Sequence, residues 1–302
     1  MRIIFTNSKG LSFDFCNAYG LTLYNVEGLQ PTELNASTIR KAYTNGVVVN
    51  NTHRGERQII LNLALTAGRE NDRIRRNLYD ILGDKEAGKF RIVDDDLDVY
   101  TEAFAEAPGV DTWTLTPTIQ VSFLCPSSYF KSTQETKLEL FQVDPQLKFP
   151  LELKEEGITM GIESPVLDLY ELTNSGQAST GVRIEVRFTK SVSGLIIENK
   201  SNGNVLNIAS SFRGENVATK EIVSFSSFRA GDILTITTEI GEKGAILYRD
   251  GAYYDIFSAV DYGEQWLRIE RGKNIIRYAG GDNVSNDGMF ITIRFNALYW
   301  GI

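Results

Sequence analysis

"RQIILNLAL", residues 57–65, puts Ile59, Leu61, Leu63 and Leu65 on one face and Ile60, Asn62 and Ala64 on the other. Successive strand side chains point to opposite faces, so this two-residue period predicts a half-buried β-strand. "TIQVSFLC" (118–125) repeats the pattern, with Ile119, Val121, Phe123 and Cys125 on one face. Pro126 has no N–H for a ladder and ends that strand. Cys125 therefore reads as the last inward residue of a strand.

One helix interrupts the strands. In "ENDRIRRNLYDILG" (70–83), Ile74, Leu78, Ile81 and Leu82 form one apolar stripe, predicting a helix over about 71–82. Asn71 is the expected N-cap, Glu70 and Asp72 suit the positive end of the helix dipole, and Gly83 is the expected C′ residue. Arg73, Arg75 and Arg76 lie on the opposite face, either as a solvated basic surface or as a subunit-contact face.

Polar residues and two prolines break the rhythm across 131–150. This suggests a first domain over 1–138, a linker at 139–145 and a second domain over 146–302. The second half is almost purely β. "GVRIEVRF" (181–188) alternates Val182, Ile184, Val186 and Phe188 with charged residues, and "MFITIRF" (289–295) alternates again. Asn202-Gly203 and Asp250-Gly251 stand between apolar arms as two-residue hairpin turns, in which both residues must tolerate positive φ. Strands at this spacing with turns between them indicate a β-sandwich or jelly roll. The fold class is mainly β.

The 302-residue length suits two domains. No apolar run approaches the roughly 18 residues of a membrane-spanning helix, so membrane insertion is not expected. "MRIIFTNSKG" lacks the apolar core of a secretory signal. The expectation is a protein made in a cytoplasm and kept there, or exported by another route. A net charge of −8 without a lysine-rich block argues against nucleic-acid binding as the main task.

Cys16 and Cys125 are the two cysteines, too few for a disulfide framework and without CxxC spacing, so both read as structural thiols. His53 is the single histidine. It excludes HExxH and HxH sites and would have to serve any nucleophile system alone. "NNTHRGER" around it reads as a solvated loop.

Other motifs weigh less. Asp94, Asp96 and Asp98 in "DDDLD" fall at EF-hand positions 1, 3 and 5, but Val99 stands where glycine belongs and Ala105 where glutamate belongs. A hairpin tip is the better reading. "GKNIIRYAGGDN" (272–283) lacks phosphate-loop spacing, its glycines precede a strand, and it reads as a turn. No motif marks a pair of glycosidase carboxylates. Tyr253, Tyr254 and Trp266 are candidate sugar-platform aromatics, although adjacent Tyr253 and Tyr254 must point to opposite faces. No catalytic set, cofactor site or metal site is legible.

The order of several stretches resembles the distal tail protein family of siphophages. They are "RGERQIILNLALTAGRENDRIRRNLYDILGDKEAGKFRI", "TIQVSFLCPSSYF", "LTNSGQASTGVRIEV" leading to "LIIENKSNGNVLNI", "FRAGDILTITTEIG", and "LRIERGKNIIRYAGGDN" followed by "MFITIRFNALYWGI". The resemblance implies an N-terminal tail-tube-like β domain with one α-helix that builds a hexameric ring, and a C-terminal galectin-like β-sandwich. It implies a structural role at a virion tail tip or baseplate, after synthesis in the host bacterial cytoplasm, and no catalytic residues. Implied partners are further copies of the chain, the tail tube protein, the tape-measure protein, the tail-associated hub protein and a receptor-binding protein. DNA would pass through the lumen without specific binding. The acidic balance then predicts a neutral or acidic lumen, with Arg73, Arg75 and Arg76 facing neighbouring subunits or solvent. The alternative is a glycan-binding β-sandwich adhesion module.

Overall fold

A computed structural model describes residues 1–42, 45–111, 117–140, 143–145, 161–163, 169–261, 263, 265–281 and 288–302. The chain divides into two compact units, Met1–Gln134 together with Leu298–Ile302, and Glu135–Ala297. The first of these ends at Gln134, and the segment 298–302 counts with it.

The first unit contains β1 (Arg2–Thr6), β2 (Ser12–Asp14), β3 (Leu21–Glu27), β4 (Leu34–Ile39), β5 (Val48–Arg54), β6 (Arg57–Leu65), α1 (Asn71–Leu82), β7 (Gly88–Val93), β8 (Asp98–Ala105), β9 (Gly109–Asp111), β10 (Thr118–Cys125) and the start of β11 (Phe130–Leu140). Neighbouring strands run β3–β6–β10–β8–β7–β1–β2, all antiparallel. The alternation read from "RQIILNLAL" and "TIQVSFLC" is realised across the β6–β10 ladder, where Val121 faces Leu61, Phe123 faces Ile59 and Cys125 faces Arg57. Ile59, Leu61, Leu63, Val121 and Phe123 are buried in one core with Phe5 and Phe90, whose rings lie 4.9 Å from that of Phe123.

Helix α1 buries Ile74, Leu78 and Leu82 in this core, with Ile81 partly buried beside them. Each buried leucine contributes roughly 1.5–3 kcal/mol of transfer free energy. The helix termini differ from expectation. Asn71 is not the N-cap, because a 3₁₀ turn at Gly68–Glu70 runs straight into the helix. The Asn71 Oδ1 instead accepts the Ala67 N–H at 3.0 Å. Gly83 ends the helix at φ −74°, with its N–H donating to the Tyr79 carbonyl at 2.8 Å, so no left-handed cap forms.

The "NNTHRGER" loop is also corrected. His53 lies in β5, which pairs with β4 as a separate two-stranded sheet, Asn35 facing His53. The aspartate run is the β7–β8 turn, in which the Asp94 N–H donates to the Leu97 carbonyl at 2.7 Å. Asp98 is occupied by the Arg91 Nε at 2.7 Å and the Thr133 hydroxyl at 2.8 Å. The Arg91 bond holds the Asp98 carboxyl below the usual carboxylate range, against the opposing effect of burial. Its stabilising contribution is therefore full above the unfolded carboxylate pKa of about 3.9 and is lost as pH falls through the lowered folded value. Asp98→Asn is expected to weaken the fold at neutral pH and to converge on the unmodified chain in strong acid, as read by denaturation against pH.

The described residues of the second unit include, besides a separate two-stranded sheet of Val143–Pro145 and Gly161–Glu163, two large antiparallel sheets. In one, Arg183–Phe188 lies between Ile233–Thr237 and Met289–Tyr299. In the other, Gly272–Gly280 lies between Tyr170–Asn174 and Leu195–Asn199. Ile184, Val186, Ile236 and Ile291 from the first sheet share one core with Ile197, Leu206 and Ile276 from the second, so the unit is a β-sandwich. Residues 272–280, read from sequence as a turn, are thus an inner strand. Asp250 (φ 52°) and Gly251 (φ 81°) form the expected two-residue turn between Arg249 and Ala252. Asn202-Gly203 does not. The strands stop at Asn199 and Asn204, and only Gly203 has positive φ, giving a four-residue loop. Its Gly203 N–H donates to the Asn199 carbonyl at 2.9 Å.

Candidate functional site

Every β4 side chain and all but the last of β5 are exposed. Leu34, Ile39, Val48 and Val49 are among them, although each would normally be buried. A two-stranded hairpin is marginal in water by itself. Its footing in the first unit therefore governs whether it holds a direction.

The footing is built around Arg57, which is 1% exposed. Its Nη1 donates to the carbonyls of Gly28 (2.5 Å) and Gln30 (2.6 Å), and its Nη2 to those of Ser128 (2.8 Å) and Trp300 (2.5 Å). The guanidinium lies 4.3 Å from the centroid of Phe130. Four of its five N–H donors are thus spent on carbonyls from three chain segments. Gly28 is confined to glycine, since its φ is 86° and a Cβ would lie 1.9 Å from the Gln58 carbonyl oxygen.

Trp300 seals the same point. Its ring is 4.5 Å from that of Tyr129, and the Arg54 guanidinium lies 4.8 Å from it on the end of β5. Arg54 also donates to the Thr32 carbonyl, and the Ile302 N–H donates to Leu29 at 3.0 Å. A cleft of about 590 Å³ opens between the hairpin feet, lined by Thr32, Asn35, Glu56 and Arg57 among others. Thr32 Oγ1 and Arg57 Nε are buried there without a protein partner, and a polar cleft of this size can seat ordered water against them.

Cys125, directly opposite Arg57, is fully buried, and burial pushes its thiol up to about 12 despite the nearby cation. A thiol held that high keeps its proton at neutral pH. Cys16 is free and half-buried. Cys125→Ala is expected to cost roughly 1 kcal/mol, on the scale of small core truncations. Thiol labelling should reach Cys16 well before Cys125 in the folded chain; equal labelling rates would contradict this placement.

The other sequence candidates are dispersed. Arg73 pairs with Glu70 at 2.6 Å and Arg75 with Asp72 at 3.0 Å, while Arg76 is exposed. Much of the basic face is therefore balanced on its own helix. Tyr253 is 57% exposed with the Tyr248 ring 5.0 Å away, whereas Tyr254 turns to Phe225 at 5.1 Å. Trp266 is 8% exposed and stacked on Phe257 at 5.4 Å. Among the described residues no group of three or more His, Cys, Asp or Glu is placed to hold a metal, and no helix is long and apolar enough to cross a membrane.

No protein-family model matches the sequence, and no curated protein is significantly similar to it. Among solved structures, the SPP1 Dit (gp 19.1) protein aligns over 98% of this chain and 98% of its own, with a TM-score of 0.63 and 10% identity. That protein is described as a paradigm of the hub adsorption apparatus in phages infecting Gram-positive bacteria. This chain has the SPP1 Dit fold. The phage P2 baseplate in its activated conformation with Ca aligns over 98% of both chains at 10% identity, with a TM-score of 0.45. At such identities, likeness to the Dit protein speaks to fold.

Proposed function

We propose that this chain is a structural distal tail protein of a siphophage or prophage, located at the virion tail tip. Six copies form a ring through the first unit and join the tail tube to the host-recognition baseplate. The observation that carries this reading is the match to the SPP1 Dit fold along almost the whole of both chains. The residue stretches that resemble the distal tail family point the same way. The exposed hairpin on a clamped footing suits a protein that assembles, since the side chains of both its faces are exposed among the described residues. A buried, protonated Cys125 and a strand-borne, exposed His53 suit a scaffold rather than a catalyst. In this reading the partners are further copies, the tail tube, tape-measure and hub proteins, and a receptor-binding protein, and DNA passes through the lumen without specific binding.

Electron microscopy of purified full chain at high concentration, and of the tail tip, tests the reading. Six-fold rings built by the first unit are the expected result. Isolated single copies at the tail tip, or a ring built by the second unit, would refute it.

A second reading, a glycan-binding adhesion module, draws on exposed Tyr253 beside Tyr248 and on a cleft of about 340 Å³ lined by Lys243, Gln265, Trp266 and Arg268. Glycan-array binding by a monomeric chain, lost in Tyr253→Ala, would favour it.

A further inference from the structure

We propose that the second unit binds a small acidic sugar in its cleft of about 340 Å³, between the connection 238–243 and residues 265–268. The proposal rests on the adhesion reading for its cleft, gives that cleft a ligand class, and is independent of ring assembly.

The frame is built before a ligand arrives. The connection 238–243 joins the strands Ile233–Thr237 and Gly244–Arg249. Thr238, 2% exposed, donates its hydroxyl to the Leu267 carbonyl at 2.7 Å and accepts the Val182 N–H at 2.9 Å. This pins the start of the connection to the opposite wall. Beside Leu267, the Arg268 Nη2 donates to the Ser179 carbonyl at 3.3 Å, and Ile269 forms an antiparallel bridge with Thr180. Walls held in this way lower the ordering cost of binding. The volume is that of a pocket for a small ligand.

Charge selects an anion. Lys243 and Arg268 line the cleft, and its described lining holds no Asp or Glu, in a chain of net charge −8. The neighbouring carboxylates have other partners. Glu239 and Glu242, on the same connection as Lys243, each lie 3.7 Å from Arg183. Glu270, two residues beyond Arg268, accepts from the Asn202 Nδ2 at 3.4 Å. The Lys243 Nζ lies 5.3 Å from the Trp266 ring centroid, a contact that orients the ammonium without neutralising it. Among the described residues neither cation of the cleft meets a carboxylate.

The rest of the lining selects what carries the anion. Ile240 is 70% exposed and lines the same cleft, so the apolar carbons of a sugar ring gain by covering it. Gln265 is exposed beside it, with amide donors and an acceptor for hydroxyl groups. Trp266 is 8% exposed and stacked on Phe257, so it is a wall rather than an open stacking platform. The principal attraction therefore falls to the two cations. A guanidinium fork beside an ammonium suits a carboxylate or a phosphate, and a uronate and a sugar phosphate share that chemistry.

Calorimetric titration of the full chain at low salt tests the site, with glucuronate, glucose phosphate, glucose and inorganic phosphate as probes. At least one acidic sugar is expected to bind roughly tenfold more tightly than glucose and to weaken as salt rises. The tighter of the two acidic sugars identifies the anion as carboxylate or phosphate. Lys243→Gln, at an exposed position, is expected to weaken that binding several-fold with circular dichroism unchanged, and Lys243→Gln with Arg268→Gln roughly tenfold or more. Glucose bound as tightly as the acidic sugars overturns the proposal and leaves the adhesion reading standing. No saccharide bound by the wild-type chain, here or on a glycan array, overturns both. Acidic-sugar binding unaltered in Lys243→Gln overturns the location. Inorganic phosphate bound as tightly as the acidic sugars makes the cleft an ion site and overturns the sugar.

Discussion

Arg57→Met is expected to destabilise the first unit by roughly 3–5 kcal/mol, the range for breaking a buried charged network. The guanidinium serves four carbonyls at 2.5–2.8 Å, from Gly28, Gln30, Ser128 and Trp300. A buried carbonyl left without a donor costs about 1–3 kcal/mol, although water entering the adjoining cleft would recover part of that. Methionine keeps an unbranched apolar stem and removes all five donors together with the cation over Phe130. Arg57→Lys should lie between, because a three-donor ammonium cannot reproduce the planar fork. The measurement is calorimetric or denaturant unfolding of the full chain. Loss of less than about 1 kcal/mol in Arg57→Met would show that the four carbonyls are satisfied otherwise.

Arg249→Met is the second large effect, this time in the sandwich. Arg249 and Asp232 form an ion pair with side chains 5% and 3% exposed. The Arg249 Nε lies 2.9 Å from Asp232 Oδ1, and its Nη2 donates to the Ser227 carbonyl at 2.8 Å. The guanidinium also lies 4.7 Å from the Phe225 ring centroid. Removing one partner leaves the other charge buried, which costs about 3–5 kcal/mol. The pair as a whole need not stabilise by that amount, because both ions were desolvated to make it. Arg249→Met combined with Asp232→Leu should therefore recover a large part of the loss, a coupling that a double-mutant cycle reads directly. Full additivity of the two single changes would show that the pair does not act as a unit.

The elements legible in the sequence are those whose signal is local. The two-residue alternation of "RQIILNLAL" and "GVRIEVRF" and the stripe of Ile74, Leu78 and Leu82 predicted strands and a helix that the structure contains. Asp250-Gly251 marked its turn because two adjacent residues carry the whole requirement for positive φ. Cys125 followed from the parity of its own strand. Arg57 has the same parity as Ile59 and Leu61, and that parity was the available sign that its charge would point inward.

What the arginine meets there was not legible. Its acceptors sit at positions 28, 30, 128 and 300, and nothing in those residues' types announces a carbonyl waiting for a donor. The hairpin of β4 and β5 escaped detection for the opposite reason. Both its faces are exposed, so burial wrote no alternation into residues 34–54, and only the backbone ladder defines them as strands. Asn202-Gly203 was misread because the ladder stops at Asn199 and Asn204, where the Asn199 side chain is bonded to distant Asn274 and to the Arg268 carbonyl, partners a local turn preference does not reveal. Periodicity, caps and tight turns act over a few residues, and the amino-acid sequence by itself determined those. Which distant segments converge on one buried donor, and which hairpin is left uncovered, depends on the path of the whole chain, and only the tertiary structure decided it.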